Sequence, residues 1–431
     1  MKAPDDIRRG TPTDTLMRIA IFSECYTPVT NGVVTSIVTL RQTLRAWGHS
    51  VFVFAPGTPQ PDDDEDVFRL PELPFPRHPY HFPRPFPRLT IDFAALKVDV
   101  VHCQHPFVVG RLGAETARKH GIPMVYTAHS LYDTMVACSK SPIVRSMGPQ
   151  AMRGVVRRFC AKADYVIAPT RHTRDSLRAD LIEARFSIVA SGVPPTQIRP
   201  GAREAIRHRL GISPQTPLLL YVGRLGPEKR LDVLVDGIAL LNDGRHGDFK
   251  VALVGDGQER ESLQHQIANL RLENRVTLTG GVPHSEIDDW YAASDIFVMP
   301  SPAETQGLVM VEAMSAGLPC VSVNEGGVAE LTLQGITGIK TPLSPEAMAH
   351  ALDCLIREPE LRERMGAAGK ERAAQFTPEA MTRNLLGVYE KAIHLPRLAN
   401  QTSVQKFRTS LNRRTRLTKR TRPKRTKRSL F

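Results

Sequence analysis

Apolar residues along this chain gather in short unbroken runs instead of alternating with polar ones, which is how strands covered on both faces of a parallel sheet read. Met17-Arg-Ile-Ala-Ile-Phe22, Val98-Asp-Val-Val-His102 and Pro123-Met-Val-Tyr-Thr-Ala128 are three such runs in the first half. Leu218-Leu-Leu-Tyr-Val222, Val251-Ala-Leu-Val254 and Ile296-Phe-Val-Met299 are three in the second. Segments of helical character separate them: one opens at the turn Pro28-Val-Thr-Asn-Gly32 and runs towards Trp47, one passes through Arg111 and Glu115, and one begins near Leu231. Strands alternating with helices over 431 residues predict an α/β chain of two doubly wound, Rossmann-like halves, residues 17–195 and 196–375. The hinge between them is expected near Ser191-Gly-Val-Pro-Pro195, and Phe376-Thr-Pro378-Glu379 opens a last amphipathic helix to about His394.

The runs of the second half end in residues that carry chemistry. After Val222 comes Gly223-Arg-Leu-Gly-Pro-Glu-Lys-Arg230, a glycine-bearing turn with two cations. Arg224 can grip phosphate oxygens as a planar fork and Lys229 can act as a mobile point charge. After Met299 come Glu304 and Glu312, separated by T-Q-G-L-V-M-V, ahead of a small-residue helical stretch, Ala313 to Gly317. A helix opening at Gly307 would aim its free N–H groups and positive dipole end at an anion beside Glu304. Eight residues of largely helical rise cover about 12 Å, so the two carboxylates could hold hydroxyls at both ends of a sugar diphosphate. With Val254-Gly-Asp-Gly257 these segments fit one crevice at the carboxyl ends of parallel strands.

In these motifs the chain resembles the retaining GT-B glycosyltransferases of family 4. The resemblance rests on G-R-L-G-P-E-K-R (223–230), V-G-D-G (254–257), R-V-T-L-T-G-G-V (275–282), the segment 293–319 around E-T-Q-G-L-V-M-V-E, and G-G-V-A-E (326–330), and it covers roughly residues 17–394. It implies two Rossmann-like domains facing across a cleft, the first for the acceptor and the second for a nucleoside diphosphate sugar. Residues 376–395 would form a helix crossing back onto the first domain. It further implies that Glu312 binds the ribose hydroxyls, that Glu304 binds the donor hexose, and that Arg224, Lys229 and the Gly307 and Leu308 amides neutralise the diphosphate. Gly223 would shape the phosphate turn, and Gly281-Val282 would meet the base through backbone groups. No metal or other cofactor is implied, and the sequence holds no Asp-x-Asp pair placed to bind one. A UDP-sugar is preferred to a GDP-sugar as donor.

In the first half, Gly32 falls where the family places a glycine turn close to the donor phosphate. Asn31 replaces the first glycine of that turn, as a residue that tolerates left-handed backbone. His129, at the end of a strand in T-A-H-S-L-Y-D, matches the family histidine beside the donor sugar. Catalytic candidates are therefore His129, Glu304, Arg224 and Lys229. Glu24, His105 and Tyr132 are acceptor-side candidates, and His102 is left beside His105 as a further one.

Charge alters the picture at one end only. The formal net charge is +13, yet residues 401–431 hold twelve Lys or Arg and no acid, so the body of the chain is nearly neutral. That basic tail, residues 396–431, is expected to be disordered alone and to bind anionic lipid or, as the weaker reading, nucleic acid. Residues 71–88, with seven prolines, four aromatics and three arginines, suit either a membrane interface or a stiff packed loop. The chain as a whole, particularly S-E-C-Y-T-P-V-T-N-G-V-V-T-S at 23–36, looks most like the diacylglycerol glycosyltransferase branch of that family. A soluble or cell-envelope acceptor is the alternative, and a nucleic-acid-binding protein on the same scaffold is the rival from another class. Cysteines 25, 103, 138, 160, 320 and 354 form no C-x-x-C pair and read as reduced thiols of a cytoplasmic protein. No apolar stretch is long enough to span a membrane, so the expected location is peripheral, on the cytoplasmic face. Residues 1–16 read as a disordered extension or as the result of a start codon placed upstream of Met17.

Overall fold

The computed structural model describes residues 15–73, 82–130, 142–242 and 246–395. The first half holds β1 (Arg18–Phe22), β2 (Ser50–Pro56), β3 (Val67–Leu70), the two-residue pair β4 (Glu72–Leu73) and β5 (Phe82–Pro83), then β6 (Val100–Cys103), β7 (Met124–Thr127), β8 (Tyr165–Ala168) and β9 (Phe186–Ile188). Seven of these make one parallel sheet in the order β3-β2-β1-β6-β7-β8-β9. The second half contributes β10 (Leu218–Val222), β11 (Lys250–Val254), β12 (Val276–Gly280), β13 (Ile296–Met299), β14 (Cys320–Val323) and β15 (Gly338–Thr341), in the order β12-β11-β10-β13-β14-β15. Both sheets are doubly wound: strand order reverses beside β1 in the first and beside β10 in the second.

The strands are continuous apolar runs because helices cover both faces. In the first sheet, Phe22, Phe54 and Phe93 lie in the core on one face, and Ile19, Ile21 and Val53 in the core on the other. The helix Gly32–Ala46 turns Val34, Ile37, Leu40 and Leu44 inward at helical spacing. The second sheet is wrapped by one core that includes Leu219, Trp290, Phe297 and Met314.

The helix Pro378–His394 belongs by sequence to the end of the second half and by packing to the first. Met381, Leu385, Leu386 and Tyr389 lie in the same core as Ile19 and Val53. The chain passes between the halves beside the start of this helix: Val193 N–H donates to the Phe376 carbonyl at 2.8 Å, and a Cβ at Gly192 would lie 2.7 Å from Pro378 Cα. Only glycine admits that approach.

His102 was a candidate acceptor-site residue, and the fold corrects it. Its ring is buried on β6, with Nδ1 2.7 Å from the Tyr389 hydroxyl and Nε2 2.7 Å from Thr127 Oγ1, and burial lowers its pKa to about 3. It is a neutral core residue joining sheet to crossover helix. Replacing Tyr389 by Phe should leave the His102 Nδ1 unpaired and cost about 1–3 kcal/mol in denaturant unfolding, with the fold retained by circular dichroism.

Candidate active site

The loops after β10 and β13 flank the point where the second sheet reverses strand order, the place where an open α/β sheet leaves a crevice at its carboxyl edge. After β10 the chain passes through Gly223 at φ +152° into the turn that carries Arg224 and Lys229. The turn rests directly on the V-G-D-G loop. A Cβ at Gly255 would lie 1.9 Å from the Gly223 carbonyl oxygen, and one at Gly257 would lie 2.3 Å from that of Leu225. These glycines therefore serve backbone-on-backbone packing beneath the site.

Arg224 Nη2 pairs with Glu228 Oε1 at 2.5 Å, and the Tyr221 hydroxyl donates to the Arg224 carbonyl at 3.0 Å. Lys229 Nζ meets Glu304 Oε1 at 2.5 Å, with both side chains about four-fifths buried. The cation of one loop is thus fixed against the acid of the other. After Glu304 the chain turns at Gly307, φ +91°, into the helix Leu308–Ser315. Only the second half of the Glu304-to-Glu312 interval is helical, so the expected helical rise between the two acids is not formed. A Cβ at Gly307 would lie 2.8 Å from Val328 Cγ1, so space as well as backbone angle requires glycine there. Glu312 lies on the helix and accepts from the Tyr291 hydroxyl at 2.7 Å, while burial raises its pKa. Tyr291 had no sequence signal of its own. Val282 follows β12, half-buried against the second core.

The facing wall comes from the first sheet's carboxyl edge. His129 follows β7, its Nε2 2.6 Å from Gln104 Oε1, and burial holds its pKa well below the usual imidazole value, with His105 and His102 adding to the effect. Its carbonyl accepts from the Thr305 hydroxyl at 3.0 Å, which brings His129 next to the Glu304 loop. Glu24 Oε1 accepts from Val109 N–H at 2.7 Å and from Gly110 N–H at 3.3 Å, capping the helix Val108–His120. Its own N–H donates to His105 Nδ1 at 3.2 Å, and burial lowers the His105 pKa to about 4. Asn31 is not left-handed: φ −162° and ψ 169° place it in extended backbone, where its side chain accepts from Val34 N–H at 2.9 Å as a helix cap. Gly32 then opens the helix, and a Cβ on it would lie 3.3 Å from Leu308 Cδ1 across the cleft. Tyr132 lies outside the described residues, as do the basic tail and residues 74–81 of the proline-rich loop.

Residues 30–197 match the family described as Glycosyltransferase Family 4, and residues 202–372 the one described as Glycosyl transferases group 1. A GDP-mannose-dependent alpha-mannosyltransferase of Mycobacterium tuberculosis is 31% identical over 389 residues, covering 87% of this chain and 96% of that one. The chain belongs to glycosyltransferase family 4. An alpha-monoglucosyldiacylglycerol synthase of Streptococcus pneumoniae is 29% identical over 80% of each chain. Among solved structures, Anabaena HepE in complex with UDP superposes with a TM-score of 0.68 at 20% identity, over 87% of this chain and all of that one, so the GT-B fold is shared.

In this glycosyltransferase the structure joins Lys229 to Glu304, brings the His129 carbonyl to Thr305 beside Glu304, and sets Gly32 against Leu308; Arg224, Glu312 and Val282 keep partners of their own on neighbouring loops and helix. The His105 ring lies 6.4 Å from that of His129 and accepts from the backbone of Glu24, whose carboxyl caps the helix Val108–His120. Thr305, Gln306, Gln104 and Tyr291 are partners that motif reading passed over; the first two lie in plain view between Glu304 and Gly307.

Burial raises the Glu24 carboxyl from the usual 4.5 to about 7, against the two amide donors. The folded protein then keeps a proton that the unfolded chain releases, so stability is full below pH 4.5 and is lost as pH rises through about 7. Relative to Glu24→Gln, wild-type stability should fall by roughly 1–3 kcal/mol between pH 4.5 and pH 8, read from guanidinium unfolding. A difference that does not vary with pH would refute it.

Proposed function

We propose that the protein transfers a hexose from a nucleoside diphosphate sugar to a hydroxyl acceptor with retention at the anomeric carbon. The observation that carries this reading is the Lys229–Glu304 pair at 2.5 Å, set beside a glycine-started helix that bears Glu312. A diphosphate laid over the start of that helix would meet amides without intrahelical partners, Lys229 and Arg224. Glu304 would then face the hexose and Glu312 the ribose. The reaction is a front-face displacement: the acceptor oxygen forms the new glycosidic bond as the sugar–phosphate bond breaks, and the departing phosphate oxygen takes the acceptor proton. The cations and the helix start stabilise the charge developing on that phosphate, so the step is proposed to need no metal ion. His129, held neutral, would pack and hydrogen-bond beside the sugar and not act as a charged group.

A UDP-sugar is the preferred donor, and the GDP-mannose-dependent relative makes GDP-mannose the second to try. The preferred acceptor is a membrane lipid such as diacylglycerol. The pneumococcal relative supports this, as do the basic tail and Phe86, which stands 88% exposed near the end of the proline-rich segment. No helix among the described residues is long and apolar enough to cross a membrane; peripheral attachment to the cytoplasmic face is the proposed location, on the strength of the basic tail. A soluble or cell-envelope acceptor is the second reading, and nucleic-acid binding is an outcome of the vesicle test below.

A screen of UDP- and GDP-sugars with and without lipid extract should find turnover that persists in chelator. Lys229→Ala or Arg224→Ala should each lower kcat by about 10²- to 10³-fold with the fold kept by circular dichroism, while Glu312→Ala should mainly raise the donor KM. Unchanged activity in all three would sink the assignment. Ending the chain after Asn400 should leave transfer to a soluble acceptor nearly unchanged but abolish salt-sensitive sedimentation with anionic vesicles. Full-length protein that ignores such vesicles and shifts RNA or DNA at the same salt would replace the lipid reading.

A further inference from the structure

The short segment Glu304-Thr-Gln-Gly307 faces two ways. Glu304 pairs with Lys229 inside the second domain. The next two residues reach the first. Thr305 Oγ1 donates to the His129 carbonyl at 3.0 Å, while the Thr305 carbonyl accepts from the hydroxyls of Thr170 at 2.7 Å and Thr173 at 3.2 Å, at the start of the helix Arg171–Ala179. Both hydroxyls are buried. Gln306, 3% exposed, clamps the interdomain passage: Oε1 accepts from Ser191 N–H at 2.7 Å and Nε2 donates to the Ser191 carbonyl at 3.0 Å. The Glu330 carboxylate, from the G-G-V-A-E motif, accepts from the Arg171 and His172 amides at 3.1 and 2.5 Å.

The segment has little freedom on its own side as well. Gly327 N–H donates to the Glu304 carbonyl at 2.7 Å, and a Cβ at Gly327 would lie 2.2 Å from the Thr305 carbonyl oxygen. Glu304 therefore sits between a backbone buttress from its own domain and a set of hydrogen bonds from the other. Rotating the domains apart breaks the bonds of Thr305 and Gln306 together, and what they hold is the peptide next to the Glu304 side chain.

We propose that Thr305 is a positioning residue for transfer. By joining the His129 carbonyl to the Thr170 and Thr173 hydroxyls through one residue, it makes approach of the acceptor domain and placement of Glu304 a single event. The complete donor site then exists only in the closed arrangement, when the acceptor is in place and water is excluded. The inference rests on the function proposed above. Thr305 touches no reacting atom; it acts through Glu304 and His129.

The test is Thr305→Val, which keeps the volume and removes the hydroxyl, beside Thr305→Ser, which restores it. The Val variant should melt with the wild type and keep its donor KM within about threefold, while kcat for transfer falls about 10- to 100-fold, the scale of a small misplacement of a catalytic group. Donor hydrolysis should fall less than transfer, so the ratio of hydrolysis to transfer rises, and the Ser variant should recover most of the loss. Small-angle scattering with UDP or GDP present, whichever the donor screen selects, should give a larger radius of gyration for the Val variant. Should that variant melt early, Thr173→Val, which removes one hydroxyl from the Thr305 carbonyl, serves for the same readouts. An unchanged kcat and radius, or a Ser variant as poor as Val, overturns the proposal. If the wild type turns over no nucleotide sugar, the proposed function fails, and scattering of the wild type and the variants without nucleotide still decides whether Thr305 holds the domains together.

Discussion

The contact between Lys229 and Glu304 is the constraint from which the rest of the site follows. The two residues come from loops on opposite sides of the point where the second sheet reverses, and nothing in the chain's local geometry brings them together. Their pairing at about four-fifths burial contributes little to folding after desolvation is counted. Its effect is positional: the cation of one loop and the acid of the other are held against each other, the acid just ahead of the Gly307 turn into the helix Leu308–Ser315. Everything beneath it is shaped to let those loops lie low. Gly255 and Gly257 carry the Arg224 turn, and Gly326 and Gly327 carry the Glu304 turn, each where any side chain would strike a carbonyl oxygen within about 2.5 Å. The glycine motifs of this chain are thus the floor of the site as much as its rim.

The same loop economy joins the two domains. Helix Pro378–His394 completes a core of the first domain with Leu385, Leu386 and Tyr389, so the second domain cannot detach without unfolding a face of the first. Against that fixed attachment, the hydrogen bonds of Thr305, Gln306 and Glu330 are few and polar, and each is worth little on its own. One link is a packed apolar core and the other a small set of polar contacts.

His102 and Asn31 show where residue-by-residue reading fails. His102 and His105 lie three positions apart and look alike in sequence, yet the first is sealed between Thr127 and Tyr389 and the second faces the loop of Glu24. The residue that decides the difference, Tyr389, is 287 positions away from His102. Asn31 suits two conformations equally well from its chemistry. The free N–H of Val34, which needs an acceptor, selects the capping one over the left-handed one.

Sequence alone determined the two doubly wound halves, the last amphipathic helix, and the glycine, acid and cation positions of the loops after β10 and β13. Buried parallel strands must read as apolar runs, and a tight turn between strand and helix must use glycine where backbone packs on backbone, so both leave local marks. Tertiary structure alone decided which partner each of these groups keeps: Glu228 on Arg224, Tyr291 on Glu312, the helix Val108–His120 on Glu24, and His129 and Ser191 of the first half on Thr305 and Gln306. Apart from the Arg224–Glu228 pair, these contacts join residues from 21 to 176 positions apart. A single sequence records which groups are present, and only the packing of the two sheets brings such distant groups within the 3 Å or so over which a hydrogen bond acts.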